Sequence, residues 1–143
     1  MPLPARPADL TLDLPAEPER AALAGRAAAV AVTNTSDPHV HDDVRLTVEE
    51  FAHVLAVVAA PLARLRLRVW VDATTVVVEG RVAVARPGSA PSLSALSSIL
   101  LDTLTRAHVL ETEGDELVFR LSTLAAGTGP PGAPGSSPVT GPD

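Results

Sequence analysis

Any chemistry in this chain has to come from carboxylates, histidines, hydroxyls and arginines, because it holds neither cysteine nor lysine. The missing cysteine excludes disulfides, thiolate metal sites and thiol nucleophiles. The missing lysine removes the phosphate-gripping residue of a P-loop and Schiff-base chemistry. The densest group of usable side chains lies in residues 41–59, HDDVRLTVEEFAHVLAVVA. Val44, Val48, Phe51, Leu55 and Val58 recur there at steps of four and three, which predicts a helix with those residues on its core side. Asp42, Asp43, Arg45 and Glu49 then fall on the opposite, wet side. Glu50 stands between, flanked by Leu46, Val54 and Val57, none of which can pair with it. A carboxylate so placed either reaches for water or is held ready at the lip of a cleft.

The other reactive groups have simpler expectations. His39, His41 and His53 could suggest a metal site. His39 and His41 converge only on an extended segment, however, and Asp37-Pro38 predicts a helix start, so surface histidines are expected. Ser92, Ser94, Ser97 and Ser98 have no G-x-S-x-G turn and no base in sequence reach, so helix-cap and helix-surface roles are expected. The carboxylates at 42, 43, 49 and 50 share one helix without an aromatic sugar subsite, which disfavours a glycosidase pair. Arg64, Arg66 and Arg68 form an outward stripe on a strand, and Trp70, the only tryptophan, continues it. Arginine and tryptophan are enriched at interface hot spots, so these four are the candidate partner-binding residues. The tryptophan on that side requires a covering element or a partner.

The elements that must position these groups follow from period and punctuation. Leu10, Leu12 and Leu14 alternate with Thr11 and Asp13, the pattern of a half-buried strand ended by Pro15. Glu17-Pro18-Glu19 opens an alanine-rich helix to about Val32, weakened slightly by Gly25. A polar link at 33–36 precedes the central helix, which Pro61 closes. Residues 65–71 alternate as a strand; 75–79 and 81–85 follow, with Gly80 expected to break the run into two. After a loop at 86–91, Ser92 is expected to cap a helix whose Leu93, Leu96, Leu100 and Leu104 share a face. Residues 109–111 and 116–122 form a hairpin with Leu117, Phe119 and Leu121 inward. Residues 1–8 are proline-rich and expected to be loose, 9–124 form the domain, and 125–143 are a Pro/Gly-rich tail expected to be flexible.

At 143 residues and a formal charge of −6, one domain with an aliphatic core is expected, since aromatics stop at Phe51, Trp70 and Phe119. An acidic chain so poor in aromatics is a weak candidate for nucleic acid. With no apolar signal core and no run of membrane-spanning length, a cytoplasmic protein is expected. Clustered strands and helices imply an α+β layer, a mostly antiparallel mixed sheet covered on one face by three helices.

This order, with DDVRLTVEEFAHVL at its second helix, resembles the small anti-sigma regulatory factors of the GHKL, or histidine-kinase-like, ATPase superfamily. In that family a helix reading roughly D-[VI]-x-L-A-V-x-E-A-x-x-N-A carries the nucleotide site; Asp43, Val44, Leu46, Val48 and Glu50 fall in register with it. The ending ARPGSAPSLSALSSILLDTLTRAHVLETEGDELVFRLS also looks like the family's closing helix and hairpin. The resemblance implies a two-layer α/β sandwich that sequesters a sigma factor, or uses ATP and magnesium to phosphorylate a serine on an anti-anti-sigma protein. It would make Glu50 the catalytic carboxylate.

Three departures accompany it. Val54 stands where the magnesium-binding Asn should be, and valine offers no lone pair to a hard cation. The family's D-x-G-x-G loop has only Glu79-Gly80 as its nearest approach. SAPSLSALSS replaces the glycine-rich lid over the phosphates. The expectation is a non-catalytic regulator with nucleotide binding lost. An active ATP- and Mg2+-dependent serine kinase, or a structural and oligomerisation module, are the alternatives, and a homodimer is compatible with each.

Overall fold

A computed structural model describes residues 1–32, 38–86 and 93–124. Its strands are β1 (Leu10–Pro15), β2 (Arg64–Val71), β3 (Thr75–Ala83), β4 (Ala107–Glu113) and β5 (Glu116–Leu124). Its helices are α1 (Ala21–Val30), α2 (Pro38–Val58) and α3 (Ala95–Leu104), with one 3-10 turn at Pro18–Arg20 ahead of α1. The strands form a single sheet in the order β1-β2-β3-β5-β4. Every neighbouring pair is antiparallel, so the parallel component of the expected mixed sheet is absent among the described residues. The architecture is the expected α+β arrangement of a sheet with three helices. The expected tail at 125–143, the link at 33–36, the Asp37 helix start and the cap at Ser92 lie outside the described residues.

Alternation divides the sheet into two unlike faces. Leu65, Leu67 and Val69 of β2, Val76, Val78 and Val82 of β3, and Leu117, Phe119 and Leu121 of β5 are buried against the helices. From α2, Val44, Val48, Phe51 and Leu55 are fully buried, as their spacing predicts. Phe51 stacks on Phe119 at 4.5 Å between ring centroids, in the middle of the core.

Three local expectations are corrected. Gly80 does not break β3, which runs unbroken from Thr75 to Ala83. Its hydrogen faces the core, where a Cβ would overlap the ring of Phe119. Glycine is there to make room for the aromatic pair. Gly25 has a similar role in α1, where an added Cβ would stand 2.5 Å from the Arg45 carbonyl oxygen and 3.1 Å from Glu49 Cβ. Arg45 and Glu49 therefore lie on the side of α2 that meets α1 and are half-buried, not fully wet. The third correction is the rotation of α3. Ser97 and Leu101 are its buried residues, while Leu96, expected inward, is 78% exposed. Ser94 caps this helix, accepting a hydrogen bond from the Ser97 N–H at 3.1 Å.

The closing hairpin turns through Gly114, whose φ of 63° suits the first loop position of a type II′ turn. The connection from α2 to β2 places Leu62 in the same left-handed region (φ 63°) and leaves it 99% exposed.

Candidate functional site

Glu50 projects from the side of α2 that meets α3. Its carboxylate accepts a hydrogen bond from the Ser97 hydroxyl, and the Ser94 hydroxyl donates to Ser97 Oγ at 3.0 Å. The group that sequence reasoning left without a partner is thus tied to the first turn of another helix. Sequence gave little warning, because the pairing spans 47 positions. Ser97 is only 8% exposed. This cluster contains an acceptor and two hydroxyls but no imidazole: His53 is exposed on α2. One turn beyond Glu50, Val54 is half-buried and offers no ligand. As arranged, Glu50, Ser97 and Ser94 fasten α3 to α2.

The histidines do not converge. Among the described residues no group of three or more His, Asp or Glu is placed to hold a metal ion. His108 pairs instead with Asp102, Nε2 to Oδ1 at 2.7 Å, and its ring lies 6.1 Å from that of Phe51. It joins α3 to β4.

The second candidate region is the face of the sheet away from the helices. Arg64, Arg66 and Arg68 do form a stripe along β2, with side chains 55%, 51% and 43% exposed. Each meets an acid on another strand: Arg64 with Asp13 of β1 at 2.7 Å, Arg66 with Glu116 of β5, two strands away, and Arg68 with Glu79 of β3 at 2.5 Å. Glu79 is the centre of this lattice. It receives Arg68, Arg81 (3.0 Å) and Arg120 (3.1 Å), which approach from three strands, and is 1% exposed. Register explains the convergence, since Glu79 stands directly between Arg68 of β2 and Arg120 of β5. Arg81 continues to Glu113 and Glu116, and Arg120 to Glu111 and Glu113. Val118 is completely buried on this face, which carries no helix among the described residues. Burial pushes the Glu79 carboxyl up, but hydrogen bonds from Arg81 and Arg68 outweigh it and hold the group below the ordinary glutamate range. Glu79 is therefore a buried anion held by three guanidinium groups.

Trp70 continues the stripe, but it is 2% exposed. The expected choice between a covering element and a partner is decided within the chain. The N-terminal segment reaches the indole, whose Nε1 donates to the Arg6 carbonyl at 2.8 Å. Of the four candidate partner-binding residues, the three arginines are accessible and the tryptophan is not. Beside them lies a concavity of about 460 Å³ lined by Thr11, Asp13, Arg66, Arg68, Glu79 and Glu116, among others.

No described helix is long and apolar enough to cross a membrane. A scan of the chain against protein-family models finds no match, and a search among curated proteins finds none either.

Proposed function

We propose that this chain is a non-catalytic regulator that works through protein–protein contacts, in the manner of an anti-sigma factor within a cytoplasmic partner-switching pathway. The observation that carries this reading is the engagement of Glu50 by Ser97. A phosphoryl-transfer base has to stand free to receive a proton from an incoming hydroxyl, with a metal ligand one turn away. Here the carboxylate is taken by a buried serine, and the position one turn on is Val54. On the other face of the sheet, β2 presents partly exposed guanidinium groups, chemistry suited to a protein partner.

The experiment pairs two measurements on the full chain. ATP with magnesium is expected to leave the melting temperature unchanged, whereas a live site filled to a hundred times its dissociation constant would add about 2.7 kcal/mol. Calorimetric titration against the sigma factors and anti-anti-sigma-type proteins of the same genome is expected to find one saturable partner. Arg66→Ala with Arg68→Ala should weaken that partner at least about tenfold, the scale of one hot spot. A melting shift of several degrees with ATP would refute the non-catalytic reading, and absence of any such partner would refute the regulatory one.

A further inference from the structure

The largest fully buried side chain of the molecule lies outside its hydrophobic core. Trp70 is excluded from the cluster beneath the helices because it projects from the other face of β2. Its indole N–H is engaged by the Arg6 carbonyl within residues 1–8, MPLPARPA, a segment in which Pro2, Pro4 and Pro7 leave few backbone donors. The β-ladder to β2 starts only at Asp9, whose N–H donates to the Val69 carbonyl at 2.8 Å. Ahead of that point the arm is fastened by a small set of polar contacts. Arg6 donates to the Val71 carbonyl at 2.9 Å and pairs with Asp9 at 3.0 Å. The Asp9 carboxylate accepts the Val71 N–H at 2.6 Å. Arg68 places its guanidinium carbon 5.0 Å from the centroid of the Trp70 ring, a cation–π arrangement that stiffens the indole from its own strand.

These are the features by which proline-rich segments are recognised. Such a segment has no internal hydrogen bonds, so its carbonyls remain available to a fixed donor, and its rings pack on aromatic surface at low entropic cost. The indole N–H supplies the donor here, and Arg68 holds the ring that carries it. Neither contact depends on the arm belonging to the same chain.

We propose that Trp70 and Arg68 form a docking site for a proline-rich segment of a protein partner, occupied in this structure by the chain's own residues 1–8 as an intramolecular competitor. The site extends the arginine stripe and so rests on the reading of β2's outer face as a contact surface. It specifies what kind of segment the partner brings: prolines flanking a residue whose carbonyl meets the indole, with an Arg able to reach the Val71 carbonyl.

Trp70 is the only tryptophan, so intrinsic fluorescence reports on this site alone. The test uses the full chain carrying Arg6→Ala and Asp9→Ala, which loosen the arm at two exposed residues. Red-shifted emission and easier acrylamide quenching are expected. A blocked peptide of residues 1–10 should reverse both in a saturable way, and the same peptide with Pro4→Ala and Pro7→Ala should not. The native chain should need about ten times more peptide, because its tethered arm competes at an effective concentration in the millimolar range. Failure to saturate, or equal binding of the proline-free peptide, overturns the proposal. If the double variant loses its far-UV circular dichroism, the indole N–H resonance of the native chain is titrated with the same peptide; a saturable shift supports the site and none overturns it. A mass that doubles when the arm is loosened would assign this face to a second copy and also overturn it. Sigma-type partner capture with no response to peptide defeats the docking site alone, while peptide binding without such a partner defeats only the anti-sigma reading.

Discussion

Replacing Glu79 by Gln keeps its shape and removes the charge on which three guanidinium groups converge. Breaking a buried ion pair from one side costs about 3–5 kcal/mol when the remaining charge is stranded. Two of the arginines are not stranded here: Arg81 keeps Glu113 and Glu116, and Arg120 keeps Glu111 and Glu113. Arg68 loses the acid it pairs with, but its side chain is 43% exposed and can rehydrate. The expected loss is therefore below the full penalty, about 2–3 kcal/mol, or on the order of 10 °C in Tm. Urea denaturation should show a lower midpoint with an unchanged slope. Glu113→Gln, at a site 39% exposed, should lose less than about 1 kcal/mol.

The pH dependence gives an independent check. Glu79 titrates below its ordinary range in the folded protein, so the unfolded chain binds this proton first as pH falls. Its contribution is complete above the unfolded value, about 4.3, and disappears as pH drops through the folded one. The native chain should lose its advantage over Glu79→Gln across that acidic interval and keep it at neutral pH. A neutral-pH cost under about 1 kcal/mol, with no convergence in acid, would refute the assignment of Glu79 as the centre of the lattice.

Gly25→Ala should destabilise by about 1–3 kcal/mol despite alanine's better helix propensity, because the new methyl meets the Arg45 carbonyl of α2; thermal melts would decide the sign. Ser97→Ala should cost about 1–2 kcal/mol by leaving the half-buried Glu50 carboxylate without its donor, and Glu50→Gln, which retains an acceptor, should cost less in the same denaturation series. Leu62→Gly should be neutral or stabilising by up to about 1 kcal/mol, since the left-handed backbone there is strained for leucine and its side chain makes no core contact. A loss on that substitution would mean that the exposed leucine has an unrecognised packing role.

The sequence by itself determined the order of elements and the inward side of most of them. Val44, Val48, Phe51 and Leu55 are buried at the spacing that predicts it, as are Leu65, Leu67 and Val69 at the alternation of a strand. Periodicity is local, so it survives without knowledge of neighbours. α3 is the exception. Its leucines at 93, 96, 100 and 104 suggested one face, while the helix turned to bring Ser97 onto Glu50 and left Leu96 outside. The cap and the long-range hydrogen bond that accompany that rotation are invisible in a local apolar count.

Tertiary structure alone decided what the glycines, the central acid and the tryptophan do. Gly25 and Gly80 looked like weak points in a helix and a strand; one admits the neighbouring helix and the other a phenylalanine ring. Nothing near Glu79 in sequence names its partners; strand register sets it between arginines from both adjacent strands. Trp70 was legible as a residue in need of cover, but the source of that cover was not, because the Arg6 carbonyl that meets it is 64 positions away. Sequence pattern says which side chains must leave water; only the assembled sheet says which distant backbone and which opposite charge they meet when they do.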